Sequence, residues 1–384
     1  MRARIPLTTV IRSLDCGGTE KHLLQVLPLL DETRFDVRLH PLHCGGRLTD
    51  DFVRKGVSVV GTANSGGRMS GLLSLASSIL RVRPLVHCFL PEAYMFGASL
   101  GLMFGARSVV MSRRSRNHYQ SRHPVAAWLE RRLHKRMDAL LGNSRAVVQD
   151  LIDEGAPPDR VRLIYNGIDV GRFAAGGVRL ERRRAVRTEH GLLDERVVLT
   201  CVANLFPYKG HADLLEALAL LGANVPARPI LLVVGRDAGA RAALEAQTAQ
   251  LGLSETVYFL GERHDIPDLL AASDVGVLAS HEEGFSNAVI EGMAAGLPMV
   301  VSNVGGNAEA VVDGECGYVV PARDPAALAK ALALLIDDAG RRQSMGEAGR
   351  KRVVAEFSIE ACVSAYESLY EELWERRLSA LQAN

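Results

Sequence analysis

Two glutamates, Glu283 and Glu291, lie eight residues apart in the stretch SHEEGFSNAVIEGMAAGLPMVVSNVGG. The apolar run Asp274–Ala279 precedes them and predicts a buried strand, and the segment Ser286–Ala295 predicts a helix. Glu283 is therefore expected in the loop between the strand and the helix, and Glu291 about one turn inside the helix.

This loop brings together hydrogen-bond acceptors and donors. Ser286 or Asn287 can cap the helix, and the backbone N–H groups of Gly284, Phe285 and Ser286 are then free to donate. Free N–H groups at a helix start attract anions and hydroxyls, and two carboxylates can accept hydrogen bonds from the paired hydroxyls of a sugar. The pattern indicates a sugar-binding site, although two glutamates at this spacing also fit an ordinary solvent-facing helix.

The elements that position these residues alternate along the whole chain. Apolar runs predict strands at Ile5–Ile11, Asp36–Leu42, Val57–Val60, Leu85–Phe89, Ser108–Ser112, Asp138–Gly142, Val161–Tyr165, Val197–Asn204, Pro229–Gly235, Val257–Gly261, Asp274–Ala279 and Met299–Ser302. Helices are predicted at Thr19–Leu30, Ser70–Val82, Ala93–Phe104, Pro124–Met137, Arg145–Glu154, His211–Leu221, Ala240–Leu251, Ile266–Ala272, Ser286–Ala295, Pro325–Asp337, Arg341–Glu356 and Ile359–Leu378. Apolar strands alternating with helices indicate an α/β fold of parallel sheets covered on both faces.

The alternation breaks once, at residues 167–188, which contain Gly-Gly and a basic run without an apolar period. This segment is the best linker candidate, and it divides the chain into two Rossmann-like domains, 1–170 and 171–358. We expect the helix at about 359–384 to pack back on the first domain. Two such domains would face each other across a cleft lined by strand carboxyl ends, where ligands bind in open α/β sheets.

Composition narrows the functional classes. The net charge is +1 and 48% of the residues are hydrophobic, so the global charge gives no reason to expect nucleic-acid binding and the chain can build sizeable cores. The cysteines do not form a C-x-x-C pair and most lie in apolar runs, which favours buried free thiols; they are Cys16, Cys44, Cys88, Cys201, Cys316 and Cys362. Without an apolar run of about 20 residues, we expect a cytoplasmic protein that does not cross a membrane.

Several familiar motifs are missing from the sequence. It has no G-x-x-x-x-G-K-[ST], no G-x-G-x-x-G and no Asp-x-Asp pair that would hold a divalent metal on a diphosphate. His40, His43 and Cys44 could suggest a metal site, but they lie near a predicted strand end without an evident fourth ligand, so ordinary loop histidines are preferred. We expect neither a metal nor a bound cofactor.

The stretch EGFSNAVIEGMAAGLPMVVSNVGG resembles the E-x7-E region of family 4 glycosyltransferases, a retaining family with the two-domain GT-B fold. Further stretches resemble the family in the same order: GGTEKHLL from residue 17, LGNSRAVVQDL from 141, IYNGID from 164, VANLFPYKGHADLLEA from 202, GERHDIPDLLAASDV from 261 and FSIEACVSAYESLY from 357. The resemblance covers nearly the whole chain, and the order and spacing of the stretches make it specific.

The resemblance implies a sugar-nucleotide donor held mainly by the second domain. Glu291 would accept hydrogen bonds from both ribose hydroxyls, and Glu283 would hold the donor sugar together with the N–H groups of Gly284, Phe285 and Ser286. Lys209 would bind the diphosphate, and Glu283 and Lys209 would be the residues that matter most for catalysis.

The remaining donor contacts implied by the resemblance do not involve charged side-chain groups. Gly18, next to Gly17, would approach the diphosphate from the first domain, and Arg263 would border the base through its backbone. The chemistry agrees, because without a metal the charge of the leaving diphosphate must be stabilised by cations and backbone amides.

Two positions depart from the family pattern. Many members carry an arginine where this chain has Asn204, which donates only a neutral hydrogen bond, so the second cation would come from elsewhere, such as Arg236. A histidine is frequent after the fifth strand, where this chain reads MSRRS. Arg113 or Arg114 is nearest to that place and is a candidate contact for donor phosphate or an anionic acceptor.

The segment from Arg107 to Arg145 is strongly basic, with ten arginines or lysines and two acids. Apolar Trp128, Leu129 and Leu133 interleave there with the cations Arg131, Arg132, Lys135 and Arg136, a pattern typical of a helix that contacts a membrane surface. A solvated helix face is the ordinary alternative, and a nucleic-acid patch is less favoured because no matching motif accompanies it.

These observations predict a metal-independent retaining glycosyltransferase. It would move a sugar from a UDP- or GDP-linked donor to a hydroxyl of a glycan or lipid-linked acceptor in cell-surface polysaccharide or glycolipid synthesis. It would be cytoplasmic, peripheral on the inner face of the cell membrane through residues 113–136. A sugar-nucleotide 2-epimerase of the same fold and a non-catalytic subunit of a polysaccharide assembly complex remain as alternatives.

Overall fold

The computed structural model describes residues 3–15, 17–43, 45–60, 68–115, 120, 123–173, 176–189, 191–192, 196–221 and 228–382. The chain forms two compact units. The first consists of Met1–Gly167 and Ile359–Asn384, and the second of Ile168–Ser358. The unit border lies three residues before the sequence-based border at 170/171.

The first unit is built on a sheet of seven parallel strands in the order β3-β2-β1-β4-β5-β6-β7. The strands are β1 (Ile5–Ile11), β2 (Phe35–Pro41), β3 (Ser58–Val59), β4 (Leu85–Phe89), β5 (Ser108–Arg113), β6 (Ala139–Gly142) and β7 (Val161–Leu163). The central strands are apolar along nearly their whole length because helices cover both faces of the sheet.

The helices of the first unit connect these strands in sequence. They are α1 (Gly18–Val26), α2 (Thr49–Arg54), α3 (Arg68–Val82), α4 (Pro91–Ala93), α5 (Ser99–Met103), α6 (Pro124–His134) and α7 (Arg145–Asp153), with 3₁₀ turns at Leu27–Leu29 and Pro158–Arg160. The C-terminal helix (Ile359–Gln382) packs on the same unit, where Tyr370 and Leu373 join the core that contains Leu7. The hydroxyl of Tyr370 also lies 2.7 Å from Nδ1 of His87 on β4.

The second unit is built on six parallel strands in the order β10-β9-β8-β11-β12-β13. The strands are β8 (Val198–Val202), β9 (Ile230–Val234), β10 (Val257–Gly261), β11 (Val275–Leu278), β12 (Met299–Ser302) and β13 (Gly317–Val320). The order reverses between β8 and β11, and ligands of open α/β sheets bind beyond the carboxyl ends of the strands at such a reversal.

The helices of the second unit flank this sheet. They are α8 (Gly176–Glu189), α9 (His211–Leu221), α10 (Arg241–Gln250), α11 (Ile266–Ala272), α12 (Asn287–Ala294), α13 (Asn307–Ala310), α14 (Pro325–Ile336) and α15 (Ala339–Glu356), with 3₁₀ turns at Val170–Arg172 and Pro207–Lys209.

Most of the predicted elements are present, several with their predicted bounds. Strands Ile5–Ile11, Leu85–Phe89, Val257–Gly261 and Met299–Ser302 and helices His211–Leu221 and Ile266–Ala272 are found as predicted. The predicted helix Ala93–Phe104 contains a π turn at Tyr94–Ala98. The elements β13, α2 and α13 were not predicted, because each is too short to show a period.

The predicted linker at residues 167–188 is right in that the unit border falls at Gly167/Ile168, but most of the segment forms helix α8. Several arginines, together with Val186 in the hydrophobic core, attach α8 to the second unit. Arg183 donates to the carbonyl of Ala272 and to the carboxylate of Asp274, at 3.2 and 2.9 Å. Hydrophobic periodicity cannot reveal a helix whose buried stripe consists largely of guanidinium groups.

Arg187 is the most deeply buried of these arginines, with a relative exposure of 2%. It donates to Oδ2 of Asp274 at 2.7 Å and to the carbonyl oxygens of Ala272 and Arg196 at 3.0 and 3.3 Å. Breaking this network would remove hydrogen-bond donors from a buried carboxylate and two backbone carbonyls.

We expect Arg187→Leu to lower the free energy of unfolding of the second unit by about 3 kcal/mol, the usual cost of removing one partner of a buried ion pair. Urea unfolding followed by circular dichroism measures this loss. Arg184→Leu is the matched control, since Arg184 is exposed on the same helix. A loss below about 1 kcal/mol for Arg187→Leu would mean that this guanidinium does not hold α8.

Candidate functional site

Two loops meet beyond the carboxyl ends of β8 and β11. The first loop ends in the 3₁₀ turn Pro207–Lys209 and in Gly210, which has φ +69°. A side chain at Gly210 would place its Cβ 1.9 Å from the carbonyl oxygen of Ala279, so only glycine allows this approach. The second loop binds the first, since the backbone N–H of His281 donates to the carbonyl of Tyr208 at 2.7 Å.

An ion pair lies where the two loops meet. Nζ of Lys209 donates to Oε1 of Glu283 at 2.6 Å, and the hydroxyl of Ser280 donates to the same oxygen at 2.8 Å. The side chains of Lys209 and Glu283 are 19% and 10% exposed. The sequence placed both residues at strand ends but did not predict that they pair, nor that the buried Ser280 three residues earlier would orient the carboxylate.

The backbone around Glu283 is fixed by a third loop, which follows β12. The N–H of Gly306 donates to the carbonyl of Gly284 at 2.6 Å, and a Cβ at Gly305 would lie 2.0 Å from the carbonyl oxygen of Glu283. The hydroxyl of Ser302 donates to the carbonyl of Ser280. These contacts place the carboxylate of Glu283 on a rigid support.

The start of α12 agrees closely with the sequence analysis. Ser286 is the residue before the first helical turn and makes no side-chain capping bond, and the helix begins at Asn287. Phe285 is 5% exposed, and its ring lies 5.2 Å from that of Phe357. Gly284 and Ser286 are buried beside it, and Glu291 is half-buried in the second turn.

Asn204 and Arg236 occupy neighbouring loops at the same edge of the sheet. Asn204 follows β8 and is exposed, and its Oδ1 accepts from the backbone N–H of Arg236 at 3.0 Å. The carbonyl of Arg236 accepts from the N–H of Leu205 at 2.9 Å. Asn204 therefore places the exposed Arg236, which follows β9, one strand away from Lys209.

Arg263 follows β10, two strands from β8. It makes a bidentate ion pair with Asp265 at 2.8 and 2.5 Å, and this hydrogen bonding raises the pKa of the guanidinium. Its side chain is thus engaged by Asp265, and the predicted backbone contact with a base stays a prediction.

His211 is a polar residue at this edge that the sequence analysis did not single out. It is 4% exposed at the start of α9, and burial is the main cause that lowers its pKa to about 4. It is therefore neutral at pH 7 and adds no charge beside Lys209.

The metal alternative receives no support from the histidines concerned. Nε2 of His40 lies 2.9 Å from the carbonyl of Gly71, and Nε2 of His43 lies 2.9 Å from Oε1 of Glu92. Cys44 lies outside the described residues, as does Cys16. Within the described ranges, no three His, Cys, Asp or Glu side chains are grouped as metal ligands. The four described cysteines are free and buried.

In the first unit, Gly17 and Gly18 lie at the start of α1, just beyond the end of β1. A Cβ at Gly17 would lie 2.3 Å from Oε2 of Glu20, whereas a Cβ at Gly18 would meet no atom within 4 Å. The Glu20 carboxylate is the end of a flexible side chain that can move, so the packing of the unit requires glycine at neither position.

Arg113 is enclosed by acidic side chains. Its guanidinium binds Glu154 with two bonds of 2.7 Å and Glu130 at 3.2 Å, and its side chain is only 3% exposed. Arg113 therefore has no exposed face with which to contact an acceptor or a phosphate. The sequence did not reveal this, because the second carboxylate comes from α7, 41 residues away.

Arg114, the next residue, points elsewhere and remains partly accessible. Its Nη2 donates to Oδ1 of Asn166 at 2.8 Å. Burial lowers its pKa, and the same charge helps to lower the pKa of the buried His22 and His87, after burial itself. Arg114 therefore stays a candidate contact for donor phosphate or an anionic acceptor.

Solved structures that are similar to this chain share its two parallel-sheet α/β units. Alr3699/HepE of Anabaena, solved in complex with UDP, has a TM-score of 0.84 at 22% identity, covering 96% of this chain and 100% of the other. WaaG, a glycosyltransferase involved in lipopolysaccharide biosynthesis, has a TM-score of 0.72 at 20% identity, covering 94% and 98%. The fold is GT-B, as predicted.

Two family models match consecutive parts of the chain. Glycosyltransferase Family 4 matches residues 16–172, and Glycosyl transferases group 1 matches residues 182–352. The chain belongs to the family 4 glycosyltransferases, and the predicted resemblance is confirmed.

Curated relatives match over a more limited length. D-inositol 3-phosphate glycosyltransferase of Geodermatophilus obscurus is 35% identical over 252 residues, which cover 62% of this chain and 54% of the relative. N-acetyl-alpha-D-glucosaminyl L-malate synthase of Bacillus anthracis is 27% identical over 236 residues, covering 62% and 60%. The chain therefore spans less than two thirds of the length of these relatives.

Proposed function

We propose that this protein transfers a sugar, with retention of configuration, from a nucleoside diphosphate sugar to a hydroxyl group of an acceptor. The main support is the pairing of Lys209 with Glu283 at the reversal point of the second sheet, beside the start of α12. An ammonium and a carboxylate beside the positive end of a helix dipole suit a ligand that carries both phosphate and hydroxyl groups.

Lys209 stabilises the leaving group in this proposal. Its ammonium is paired with Glu283, but an ammonium has three N–H donors and can bind a carboxylate and a phosphate oxygen together. As the bond between the anomeric carbon and the phosphate oxygen breaks, its electron pair passes to the diphosphate, whose charge Lys209 stabilises. Arg236 supplies a second cation, because Asn204 at the neighbouring position carries no charge.

Glu283 positions the donor sugar, and Glu291 accepts from the ribose hydroxyls. The buried hydroxyl of Ser280 and the third loop keep the Glu283 carboxylate in one orientation, which is what a positioning group requires. The acceptor oxygen then bonds to the anomeric carbon on the face that the phosphate leaves, and a phosphate oxygen takes the acceptor proton. No side chain is needed as a general base.

The remaining donor contacts follow the same assignment. The N–H groups of Gly284, Phe285 and Ser286 would bind sugar hydroxyls, and Arg263 would border the base through its backbone. In the first unit, the unoccupied space at the Cβ position of Gly18 is consistent with close approach of a ligand, beside Gly17. Arg114 is proposed as a contact for an anionic acceptor or for donor phosphate.

UDP is the proposed nucleotide and a glycan or lipid-linked molecule the proposed acceptor, in cell-surface polysaccharide or glycolipid synthesis. Alr3699/HepE has been solved with UDP and with UDP-glucose, and WaaG is described as a lipopolysaccharide enzyme. These similarities support the choice of UDP. GDP-linked donors remain the alternative.

A contact with the surface of a membrane is proposed for α6. Val125, Trp128 and Leu129 are 78%, 53% and 41% exposed, and the guanidinium of Arg132 stacks on the Trp128 ring at 4.4 Å. Exposed apolar residues beside cations are typical of a helix that lies on anionic lipid. Among the described residues, no helix is long and apolar enough to cross a membrane.

We expect UDP to raise the melting temperature of the protein and GDP to leave it unchanged. A ligand at a hundred times its Kd stabilises the folded state by about 2.7 kcal/mol, which a thermal-shift assay detects easily. Turnover is then measured with UDP-glucose, with and without lipid-linked acceptors from cell extracts. Sugar conversion without acceptor would favour the epimerase, binding without turnover the non-catalytic subunit, and no nucleotide binding would refute the donor assignment.

We expect Lys209→Ala and Glu283→Ala each to lower the transfer rate at least ~100-fold, because each removes a preorganised charge at the reacting sugar or diphosphate. UDP affinity should fall in Lys209→Ala and stay nearly constant in Glu283→Ala, since only Lys209 contacts the nucleotide part. Lys330→Ala and Glu315→Ala, exposed residues of the same unit, are the matched controls. Rates near wild type in both site variants would contradict the assignment.

We expect the protein to sediment with vesicles that contain phosphatidylglycerol and not with vesicles of phosphatidylcholine alone. Trp128→Ser should reduce this binding several-fold, whereas Tyr258→Ser, which removes an exposed aromatic of the second unit, should not. Equal binding by the two variants, or no dependence on anionic lipid, would exclude α6 as the contact.

A further inference from the structure

The second unit contains a cavity of about 590 Å³ that the donor assignment does not use. It is lined by α8, by α15 and by the turn Ala295–Gly296 that follows α12. Its volume lies within the range of about 300–1,000 Å³ typical of small-molecule sites. Asp274, which precedes β11, also lines it, so the cavity lies at the amino ends of the strands, the edge opposite Lys209 and Glu283.

Guanidinium groups dominate the lining. Four arginines face the cavity with two carboxylates, Asp274 and Glu347; the arginines are Arg179, Arg183, Arg342 and Arg350. Asp274 is already occupied, since it binds both Arg183 and Arg187 and accepts from the N–H of Val198 at 2.8 Å. Oε1 of Glu347 accepts from Gln343 at 3.0 Å.

Three of these arginines donate hydrogen bonds to carbonyl groups at the ends of three helices. Arg342 donates to the carbonyls of Leu335 and Ile336 at the end of α14, at 2.6 and 2.9 Å. Arg350 donates to the carbonyl of Ala294 at the end of α12, and Arg183 to that of Ala272 at the end of α11. These contacts give the arginines a structural role that needs no ligand.

The carboxylates and helix ends do not neutralise all of the positive charge of the arginines. The cavity arginines together with Arg187 carry five charges, and Asp274 and Glu347 offset two of them. A helix end contributes about half a negative charge, so three helix ends offset about one and a half more. The lining therefore keeps a net positive charge, which favours an anionic ligand such as a phosphate ester.

Arg179 is the least engaged of these arginines. Its one hydrogen bond within the described part of the chain is a long contact of 3.5 Å to the carbonyl of Ser273. Its pKa is lowered by burial and by the like charges of Arg183 and Arg350, against the opposing effect of Asp274. An anion in the cavity would relieve this repulsion and could accept bidentate hydrogen bonds from the guanidinium fork.

We propose that this cavity binds a phosphorylated small molecule at a site separate from the donor site. Arg179 is the residue that contributes most to binding the phosphate group, and Arg342 and Arg350 complete the cationic lining. The proposal does not depend on the proposed glycosyl transfer, because it rests on a different edge of the second unit.

Inorganic pyrophosphate is the probe, titrated calorimetrically into the full chain at constant ionic strength. The titration uses the Lys209→Met variant so that binding beside Glu283 is removed. We expect one saturable site in this background, and adding Arg179→Met should weaken it at least ~10-fold through loss of a charge-assisted contact. Arg184→Met, an equal loss of charge at an exposed position on the same helix, should change the affinity less than about twofold.

Two results would overturn the proposal: no saturable binding in the Lys209→Met chain, or equal weakening by Arg179→Met and Arg184→Met. If Arg179→Met does not fold, Gln343→Glu replaces it. This change places a negative charge in the lining at an exposed position of α15 and should weaken pyrophosphate to the same extent. Unchanged binding in Gln343→Glu would then exclude the cavity.

Discussion

The ammonium of Lys209 and the carboxylate of Glu283 lie 2.6 Å apart and join two loops that leave neighbouring strands. Both charges are largely shielded from water, so either one without the other would be costly there. The pair therefore stabilises the conformation of both loops before a ligand arrives. The pair also affects how a diphosphate would bind. The diphosphate must share the Lys209 ammonium with the Glu283 carboxylate, which Ser280 keeps in place.

Buried guanidinium groups perform structural work in both units. In the first, Arg113 joins α6 to α7 through Glu130 and Glu154; in the second, Arg187 joins α8 to Asp274 at the start of β11. A buried arginine satisfies several acceptors at once, which an apolar side chain of similar size cannot do. The cost is that removing one partner leaves a charge or several polar groups unpaired inside the protein.

These arginines also mark the limit of what could be predicted from the sequence. Apolar runs such as Val257–Gly261 and the Glu283–Glu291 spacing revealed the sheets and the start of α12, because period and loop position are local properties. Helix α8 was missed because its partners lie about 90 residues away, as in the contact of Arg183 with Ser273. Arg113 and Arg114 look alike in sequence, and only the fold separates the enclosed arginine from the accessible one.

The two edges of the second sheet use charge in opposite ways. At the carboxyl edge, helices begin and direct the positive ends of their dipoles toward a ligand, so fewer side-chain cations are needed for an anion. At the amino edge, three helices end and present carbonyls, so arginines are first required to satisfy the protein itself. An anion binds at that edge only if the cations outnumber what the helix ends and carboxylates neutralise. The cavity has more arginines than this requirement needs, and this excess supports the proposed anion site at the amino edge.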